Sequence, residues 1–394
     1  MLQDLLAGAT LVAAVLVVYH HVLFPPLLRR IAALRGEPNP PPAGPLPSVG
    51  VLVPAHDEAA VIVAKIENLS RLDYPRDRLD ILIVSDGSRD MTAELAAAAI
   101  RDAGPGFPAR LVVLDENVGK VAVLNRFLPT LAGEIAVLTD ASAMVEPDAV
   151  RRLVAPFTDP RVGVVSGGYR LVRPGSAGEA AYWRYQTRLK TLEARLGGAI
   201  GAHGALYAVR RRLAAPLPPD TINDDFVLPM EIVARGYRAL YRPDAMATEL
   251  ECADAATDRR RRRRIGAGNL QQAIRLRRLL HPRYGWTAFV FASGKVLRPG
   301  MPFAMLAALC GSAVLAPAAA TFAGLLAVQV AAYAAALLRL ALPEARALRR
   351  LDPLAYLVAG HAAALTGALR YLAGQDRTAW RRAAGPAAGT PIRV

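Results

Sequence analysis

Four apolar stretches set the strongest limit on the fold of this 394-residue chain. Each approaches the roughly 20 apolar residues that one helix needs to cross a lipid bilayer. Buried helices of a soluble protein are the alternative, but three successive stretches with almost no charge favour membrane helices. The stretches cover residues 5–28, 302–319, 321–340 and 354–372.

The first stretch predicts a retained membrane anchor over residues 1–28. A signal peptide would carry basic residues before its apolar part, whereas Asp4 is the only early charge. Arg29, Arg30 and Arg35 follow directly, and basic residues favour the cytoplasmic side of a membrane helix. We therefore expect the N-terminus outside and the next domain on the cytoplasmic face of the inner membrane.

The composition, 53% hydrophobic with a formal net charge of +15, suits a protein that contacts anionic lipid or anionic ligands. Nucleic acid is a poor candidate partner, because the arginines do not alternate with stacking aromatic residues and no recognition-helix or zinc-knuckle pattern occurs. Cys252 and Cys310 are the only cysteines. We expect neither disulfides nor a cysteine metal site, and a reducing cytosol fits this usage.

The central part of the chain, residues 49–282, follows a linker rich in proline, residues 29–48. Short β-type runs alternate there with helix-like segments, which predicts βαβ units and an α/β fold on a mainly parallel sheet. In such folds ligands bind at the carboxyl ends of the strands. We predict strands at residues 49–53, 81–84, 111–114 and 135–139, and helices near residues 59–70, 92–103, 120–131 and 147–157.

The sequence predicts an amphipathic segment at the membrane interface over residues 283–298. It predicts a C-terminal transmembrane region over residues 299–394. Arginines flank the last apolar stretch on both sides, and a full crossing would place one of the two groups outside. We therefore expect a cytoplasmic C-terminus, with residues 354–372 re-entrant or packed at the interface. The groups are Arg339, Arg346, Arg349 and Arg350 before the stretch, and Arg370 at its end with Arg377, Arg381 and Arg382 after it.

Polar residues follow the first two predicted strands. Pro54, Asp57 and Glu58 come after the first strand, and Asp86 precedes Gly87 after the second. A carboxylate at a strand end can accept hydrogen bonds from a base or from ribose hydroxyls, and a following glycine lets the backbone approach the ligand. Each motif is weak alone, since Asp-Gly is also a common turn.

Lys120 and Asp140 follow the third and fourth predicted strands. Lys120 combines a cation with a helix N-terminus, a pair that favours a diphosphate, although the glycine spacing of a Walker loop is absent. Asp140 could bind a hard divalent cation together with a hydroxyl, water and phosphate oxygens. Its alternative role is a helix N-cap.

Two later motifs carry charge. Asp224 and Asp225 are adjacent, and because neighbouring carboxylates repel each other, an ordinary helix cap would rarely need both. One of them has the character of a general base. The six arginines at residues 259–264 form either a solvated or lipid-facing basic surface, or a phosphate clamp.

Taken in order, these segments resemble the family 2 inverting glycosyltransferases with a GT-A fold. The resemblance is closest to their membrane-bound branch, related to cellulose, hyaluronan and poly-N-acetylglucosamine synthases. It extends from about residue 49 to residue 297 and rests on the ordered set of motifs. It implies a Rossmann-like mixed sheet, mainly parallel, that binds a nucleotide sugar and is flanked by transmembrane helices.

The resemblance also implies donor-binding roles. Asp57 and Asp86 would hold the nucleoside, with Pro54 and Glu58 in the same segment. Lys120 would lie near the diphosphate.

Metal, catalytic and acceptor roles follow from the same resemblance. Asp140 would be the first carboxylate of a DxD-type motif that binds Mg²⁺ or Mn²⁺. Asp225 would be the catalytic base, and Asp224 stands where the family usually has Glu. His203 would be either a metal ligand or a pocket histidine. The acceptor side would comprise Gly201, His203 and Gly204.

The chain departs from the family pattern at two motifs. Ser142 replaces the second carboxylate of the metal motif and so removes a charge. The family's Gln-x-x-Arg-Trp motif corresponds to residues 261–265, in which Arg261 and Arg264 are candidate donor ligands and Ile265 replaces Trp. That Trp would stack on an acceptor sugar. Its absence weakens the case for processive synthesis and leaves single-sugar transfer to a lipid-linked acceptor open.

The sequence thus predicts a membrane-bound inverting glycosyltransferase of cell-surface or exopolysaccharide synthesis. It would use a nucleotide-sugar donor and a glycan or lipid-linked acceptor. The alternative is a non-catalytic membrane component of a polysaccharide assembly, which would bind donor without transfer. An oxidoreductase is disfavoured, because residues 54–58 stand in place of a G-x-G-x-x-G turn.

Overall fold

A computed structural model describes residues 1–35, 44–172, 177–250 and 255–375. The chain forms two compact units. The described residues of the sheet unit lie within Pro38–Arg173 and Gly197–Cys252. The helical unit comprises Met1–Glu37, Pro174–Leu196 and Ala253–Arg377.

The sheet unit contains an eight-stranded sheet. Its strands are β1 (Val49–Ala55), β2 (Leu79–Asp86), β3 (Ala109–Leu114), β4 (Ile135–Leu138), β5 (Ala143–Val145), β6 (Val162–Leu171), β7 (Tyr207–Arg210) and β8 (Arg238–Glu249). They lie in the order β3-β2-β1-β4-β7-β6-β8-β5. The strands β3, β2, β1 and β4 pair in parallel, whereas β7 is antiparallel to both of its neighbours. The pair β6 and β8 is parallel, and β5 is antiparallel to β8.

Thirteen α-helices lie in the described part of the chain. The sheet unit contains α3 (Ile62–Ser70), α4 (Thr92–Asp102), α5 (Lys120–Phe127), α6 (Ala149–Val154) and α8 (Asp224–Val233). The helical unit contains α1 (Leu2–Val18), α2 (Phe24–Ala33), α7 (Ala177–Arg195), α9 (Ala255–Arg275), α10 (Trp286–Val290), α11 (Leu297–Leu315), α12 (Ala320–Ala341) and α13 (Asp352–Leu372).

The parallel half of the sheet forms where the sequence predicts it. The strands β1, β2 and β4 are almost wholly buried, as expected for parallel strands that are covered on both faces. Their Val, Ile and Leu side chains build the core, and their carboxyl ends bring the polar loops to one edge. The predicted strands do not include β5 to β8. Of these, β5 has only three residues and β7 four, and three of the ten residues of β6 are glycines.

Three helices of the helical unit are long and apolar enough to cross a membrane: Leu2–Ala33, Trp286–Leu315 and Ala320–Ala341. Many of their large apolar side chains are exposed rather than packed into a core. A soluble protein would normally bury such a continuous apolar surface, so this exposure suits contact with lipid.

Two segments of the helical unit differ from the predicted ones in their boundaries or in whether they are candidate membrane spans. The helix that starts at Trp286 continues to Leu315, so the predicted interfacial segment, residues 283–298, lies mostly within a candidate span. The last apolar stretch forms α13, which is not among those candidates. It packs closely on α9, where a side chain at Gly367 would lie 2.1 Å from the carbonyl oxygen of Arg263.

Candidate active site

The loop after β1 presents Asp57 in an unusual backbone conformation. Its φ angle is 53°, and it is the only residue other than glycine with a positive φ in the described chain. The carboxylate accepts a hydrogen bond from the backbone N–H of Arg89 at 2.7 Å, and 38% of the side chain remains exposed. Such backbone strain occurs most often at functional sites.

The other members of the predicted donor segment have structural neighbours. Pro54 is part of β1, because this strand extends two residues beyond the prediction. Glu58 is buried, and its backbone N–H donates to the Thr92 hydroxyl at 2.7 Å. This bond fixes the loop after β1 to the start of α4.

Asp86, at the end of β2, is only 3% exposed. Its two carboxylate oxygens accept the backbone N–H groups of Val118 and Gly119 at 2.8 and 2.9 Å. The adjacent Gly87 has a φ of 58°, and a side chain there would lie 2.2 Å from the backbone nitrogen of Asn117. Asp86 and Gly87 therefore hold the loop that leads into α5, and Asp57 is the more exposed carboxylate of the predicted nucleoside pair.

Lys120 joins two of the predicted carboxylates. Its Nζ lies 2.7 Å from Asp140 Oδ1 and 3.6 Å from Asp224 Oδ2. Burial acts to lower the pKa of Lys120, but Asp140 and Asp224 outweigh it and raise that pKa above its ordinary value. Lys120 is therefore a permanent cation between two anions.

Asp224 and Asp225 form the first turn of α8, after Asn223 at the N-cap position. The positive end of the helix dipole stabilises negative charge there. Asp225 faces the acceptor-side loop, because its Oδ2 accepts the backbone N–H of Gly204 at 3.1 Å and its carbonyl accepts that of Ala202 at 2.9 Å. The two adjacent carboxylates thus have different environments.

Gly204 separates the carboxylates of Asp140 and Asp225. A Cβ at Gly204 would lie 3.3 Å from Asp140 Oδ2 and 3.4 Å from Asp225 Oδ2. The missing side chain leaves a gap bordered by both oxygens. Three carboxylates and one lysine, from three separate segments of the chain, thus converge at the carboxyl edge of the sheet.

The carboxylates suit a divalent cation to which the protein supplies only some of the ligands. The oxygen Oδ2 of Asp140 borders the gap, and Ser142 is buried. Within the described ranges, no group of three or more His, Cys, Asp or Glu side chains has the arrangement of a complete metal site. Mg²⁺ commonly binds through one or two carboxylates plus substrate phosphates, so Asp140 fits a cation shared with a diphosphate.

His203 lies between two aromatic rings. Its ring stacks on Tyr169 with centroids 5.7 Å apart, and it meets Tyr241 edge-on at 6.2 Å. Its backbone N–H donates to the Ser166 hydroxyl at 3.2 Å. This packing is that of a pocket histidine, one of the two roles that the sequence leaves open.

Gly201 begins the acceptor-side loop in a left-handed conformation, with a φ of 72°. A side chain there would lie 2.4 Å from the ring of Phe226 on α8. The position therefore admits only glycine, and it brings the loop close to the helix that carries Asp225.

Lys65 is a site residue that the sequence analysis missed. It is completely buried on α3, and its Nζ donates to the Thr139 hydroxyl at 2.8 Å and to the Ala143 carbonyl at 2.5 Å. The Thr139 hydroxyl in turn donates to the Ala205 carbonyl at 2.7 Å. Lys65 thus fixes both ends of the loop that carries Asp140.

A sequence signal for Lys65 does exist. It shares the buried face of α3 with Ile62, Ile66 and Leu69, so it is a cation at a position where the helical period demands an apolar residue. Burial lowers its pKa to about 7, against the opposing effect of Asp140.

Tyr207, on β7, is a second missed residue. It is buried beneath the carboxylates, and its hydroxyl has no hydrogen-bond partner within the described chain. Burial raises the pKa of Tyr207 well above its usual value, and Asp224 and Asp225 add to the rise. The phenol therefore stays neutral and available as a donor.

Arg261 and Arg264 belong to α9 of the helical unit, whereas the other candidate site residues belong to the sheet unit. Arg261 lines a cavity of the helical unit, and Arg264 is exposed. Their predicted contact with the donor therefore remains a prediction.

Known proteins resemble this chain over its central part. The model of a family described as "Glycosyltransferase like family 2" matches residues 47–268. An N-acetylglucosaminyltransferase of Rhizobium meliloti (strain 1021) is 26% identical over 219 residues, 51% of each chain. A poly-beta-1,6-N-acetyl-D-glucosamine synthase of Staphylococcus aureus (strain COL) is 27% identical over 209 residues, 51% of this chain and 49% of the relative. The chain thus spans about half the length of these relatives.

Two further known proteins match very different shares of this chain. A beta-monoglucosyldiacylglycerol synthase of Nostoc is 35% identical over 126 residues, 31% of this chain and 26% of the relative. Among solved structures, the mannosyltransferase PcManGT from Pyrobaculum calidifontis, in complex with GDP-Man and Mn²⁺, has a TM-score of 0.68 and 27% identity. That match covers 91% of this chain and 99% of the mannosyltransferase.

Proposed function

The chain belongs to glycosyltransferase-like family 2, and from that premise we propose that it transfers a sugar, with inversion, from a nucleotide-sugar donor to a glycan or lipid-linked acceptor. Family membership confirms the resemblance predicted from the sequence, and the similarity to PcManGT confirms the GT-A fold. The observation that carries the proposal is the convergence of Asp140, Asp224 and Asp225 around Lys120 and Gly204.

Asp225 is the general base in this proposal. Its Oδ2 borders the gap at Gly204, and the Gly204 N–H orients it. Asp224 is a weaker candidate, because its carboxylate lies 3.6 Å from the Lys120 ammonium and does not border the gap at Gly204 in the way that Asp225 does. Asp224 then serves to hold Lys120.

The proposed reaction is a single displacement. As the acceptor hydroxyl oxygen bonds to the anomeric carbon, its proton passes to Asp225 and the bond to the diphosphate oxygen breaks. The diphosphate leaves with the bonding electrons, and the Lys120 ammonium offsets its growing charge. A divalent cation at Asp140, Mg²⁺ or Mn²⁺, would supply further positive charge. One displacement inverts the anomeric configuration.

Asp57 supplies the nucleoside contact, because it is the exposed carboxylate of the donor loops. Pro54, Glu58 and Asp86 fix the backbone around it. Arg261 and Arg264 remain candidate ligands of the donor phosphates, since arginine binds phosphate oxygens through paired hydrogen bonds.

The acceptor side is formed by Gly201, His203 and Gly204, opposite Asp225. The names of the relatives include both a polysaccharide synthase and a glycolipid synthase. Either kind of hydroxyl acceptor suits an aspartate base. Because Ile265 replaces the family's Trp, we favour a short product over processive synthesis.

The chain is further proposed to be a multi-pass protein of the inner membrane, with the sheet unit in the cytoplasm. Three candidate spans support a membrane location. The basic residues after the first span, Arg29, Arg30 and Arg35, support a cytoplasmic sheet unit.

The decisive experiment incubates membranes that contain the full chain with a panel of nucleotide sugars and either Mg²⁺ or Mn²⁺, and measures released nucleoside diphosphate and glycosylated product. We expect release with at least one donor, and release slower by about 10²-fold or more for Asp225→Asn. A chain that binds a donor with ordinary affinity but releases nothing would instead support the non-catalytic alternative.

A further inference from the structure

The helical unit contains a cavity of about 390 Å³, and Arg261 is the only residue of its described lining that the proposed transfer reaction uses. Its volume lies in the range of small-molecule sites, and such sites combine aromatic walls with a few polar groups. Parts of the N-terminal helix, α7, α9, α11 and α13 form the walls.

The charged groups around the cavity are mostly cationic. Arg261, Arg262 and Arg298 line it, whereas Glu179 is the single carboxylate among its described lining residues. Three histidines add further ring nitrogens. They are His20, His21 and His361.

The cationic groups are held in position by aromatic rings. The guanidinium of Arg262 lies 3.7 Å from the centre of the Tyr356 ring, and Arg298 donates to the Tyr182 hydroxyl at 2.9 Å. A guanidinium that stacks on a ring is held flat, and its N–H groups then point sideways in the plane of the group. The geometry is therefore preorganised for a planar or tetrahedral oxyanion.

Two π-helical segments meet at the same place. Tyr19–Leu23 interrupts the N-terminal helix, and Phe291–Val296 interrupts the next candidate span. The Tyr19 and Ser293 hydroxyls are 2.8 Å apart, and His20 Nδ1 lies 2.9 Å from the Ser293 carbonyl, to which it donates. Bulges of this kind recur at functional sites.

The bond to Ser293 fixes the other nitrogen of His20. Because the carbonyl only accepts, Nδ1 carries the hydrogen, and Nε2 can accept from a protonated phosphate. His21 lies beside both other histidines, with ring centroids 4.8 Å from His20 and 5.0 Å from His361. In the described part of the chain, the buried Nε2 of His21 has no hydrogen-bond partner.

We propose that this cavity binds a phosphate monoester. Three arginines, histidine donors and aromatic walls match that chemistry, since arginine recognises phosphate oxygens in pairs. Two of the walls belong to candidate membrane spans, so the headgroup of a membrane lipid can reach the cavity from the side. Free phosphate presents the same oxygens, and the experiment separates the two sources. The proposal concerns the helical unit alone and holds whether or not the sheet unit transfers sugar.

The test measures thermal stabilisation of the purified full chain in detergent micelles at constant ionic strength. The probes are dioleoyl phosphatidic acid, dioleoyl phosphatidylcholine and inorganic phosphate. We expect phosphatidic acid to raise the unfolding temperature in a saturable way and phosphatidylcholine to leave it unchanged. A comparable saturable response to inorganic phosphate would also support the site and would assign free phosphate as its source.

Three variants connect the response to the cavity. Arg262→Gln should raise the half-saturating concentration of the phosphate probe at least tenfold. Arg260→Gln is the matched control, because it removes the same charge from an exposed position two residues away on α9 and should change the value less than twofold. Gly360→Leu fills the cavity beside Arg262 without changing charge and favours the helix, so it should also abolish the response.

Each result has one meaning. Equal stabilisation by phosphatidic acid and phosphatidylcholine, without a response to phosphate, overturns the proposal. So does an equal loss of response in Arg260→Gln and Arg262→Gln, because the interaction would then be general surface electrostatics. A Gly360→Leu variant that melts like the parent chain yet keeps its full response would also exclude the cavity.

Discussion

At the scale of single residues, the candidate site depends on how differently two adjacent carboxylates are surrounded. Asp224 is largely buried beside Lys120, whereas Asp225 accepts the Gly204 N–H and borders the gap next to Asp140. An ion-paired carboxylate positions a cation, and a carboxylate at an open gap can accept a proton. The predicted roles of the pair follow from this difference.

Asp225→Asn should lower kcat by about 10²–10⁴-fold, because the amide keeps the shape of the side chain but cannot accept the proton. Donor affinity should stay within a few-fold of the parent value. Steady-state kinetics and donor titration of the same preparation measure both quantities. If turnover survives in Asp225→Asn and disappears in Asp224→Asn, the base is Asp224.

Asp140→Ala should weaken donor binding roughly tenfold, or about 1.4 kcal/mol, when Mg²⁺ or Mn²⁺ is present. The carboxylate is expected to act through the cation, so the variant and the parent chain should bind donor equally in a chelator. Calorimetric titration with and without metal tests this expectation. An equal loss under both conditions would mean that Asp140 only holds Lys120 in place.

Gly204→Ala should lower kcat at least tenfold and leave the melting temperature nearly unchanged. The added methyl group would occupy the gap, 3.3 Å from Asp140 Oδ2 and 3.4 Å from Asp225 Oδ2. Activity and thermal unfolding of the purified variant provide the two measurements. Full activity in Gly204→Ala would show that the gap is not where the substrates meet.

At the scale of elements, one buried lysine links a helix to two loops of the site. Lys65 extends from α3 to the loop between β4 and β5, and Thr139 connects that loop to the acceptor side at Ala205. A change in the charge of Lys65 therefore affects the loop between β4 and β5 directly and the acceptor-side loop through Thr139. Its lowered pKa makes this link testable by pH.

Lys65→Met should remove a specific pH dependence of stability. Burial lowers the pKa of Lys65 from 10.5 to about 7, so between these values the unfolded chain binds more protons than the folded chain. The stability contribution is complete above pH 10.5 and is lost as the pH falls toward 7, with a slope of up to about 1.4 kcal/mol per pH unit. The parent chain should thus gain stability from pH 7 to pH 9 relative to Lys65→Met.

Thermal unfolding in detergent at pH 7, 8 and 9 measures that difference. Other titrating groups are common to both chains and cancel in the comparison. The variant will be less stable at every pH, because the Ala143 carbonyl loses its donor. Parallel pH curves for the two chains would show that the pKa of Lys65 is not lowered.

At the scale of the whole molecule, three candidate spans and the flanking charges specify a topology. An N-terminus outside and three crossings would return the chain to the cytoplasm after Ala320–Ala341. The arginines on both sides of α13 would then share that compartment, which removes the conflict between the two groups. The residues beyond 375 lie outside the described ranges, so this remains a prediction of the sequence.

A cysteine inserted after Gly385, in a chain with Cys252 and Cys310 replaced by serine, should resist a membrane-impermeant thiol reagent in intact cells. A Gln3→Cys variant is the control and should react, since the N-terminus is expected outside. Permeabilised cells should label both positions. Ready labelling after Gly385 in intact cells would mean that α13 crosses the membrane.

Local pattern was enough to predict the parallel half of the fold. The strands β1 to β4 and the helices between them follow from apolar runs and helical periods of a few residues, as do the apolar stretches near both ends. The positions of Asp57, Lys120 and Asp140 at loop ends follow from those elements, because parallel strands place their carboxyl ends at one edge.

Contacts between distant residues decided the rest. The order of β5 to β8 depends on pairing across the sheet. Strands as short as β5 and β7, with three and four residues, have no sequence pattern from which this pairing can be predicted. Asp86 became a buried anchor of the loop before α5 only because β2 ends beside that loop. Sequence spacing carries no information on such approaches, since burial and hydrogen bonding are set by the whole packed chain. For the same reason, only the tertiary structure shows the hydrogen bond from Lys65 to Thr139 and the cavity beside Arg262.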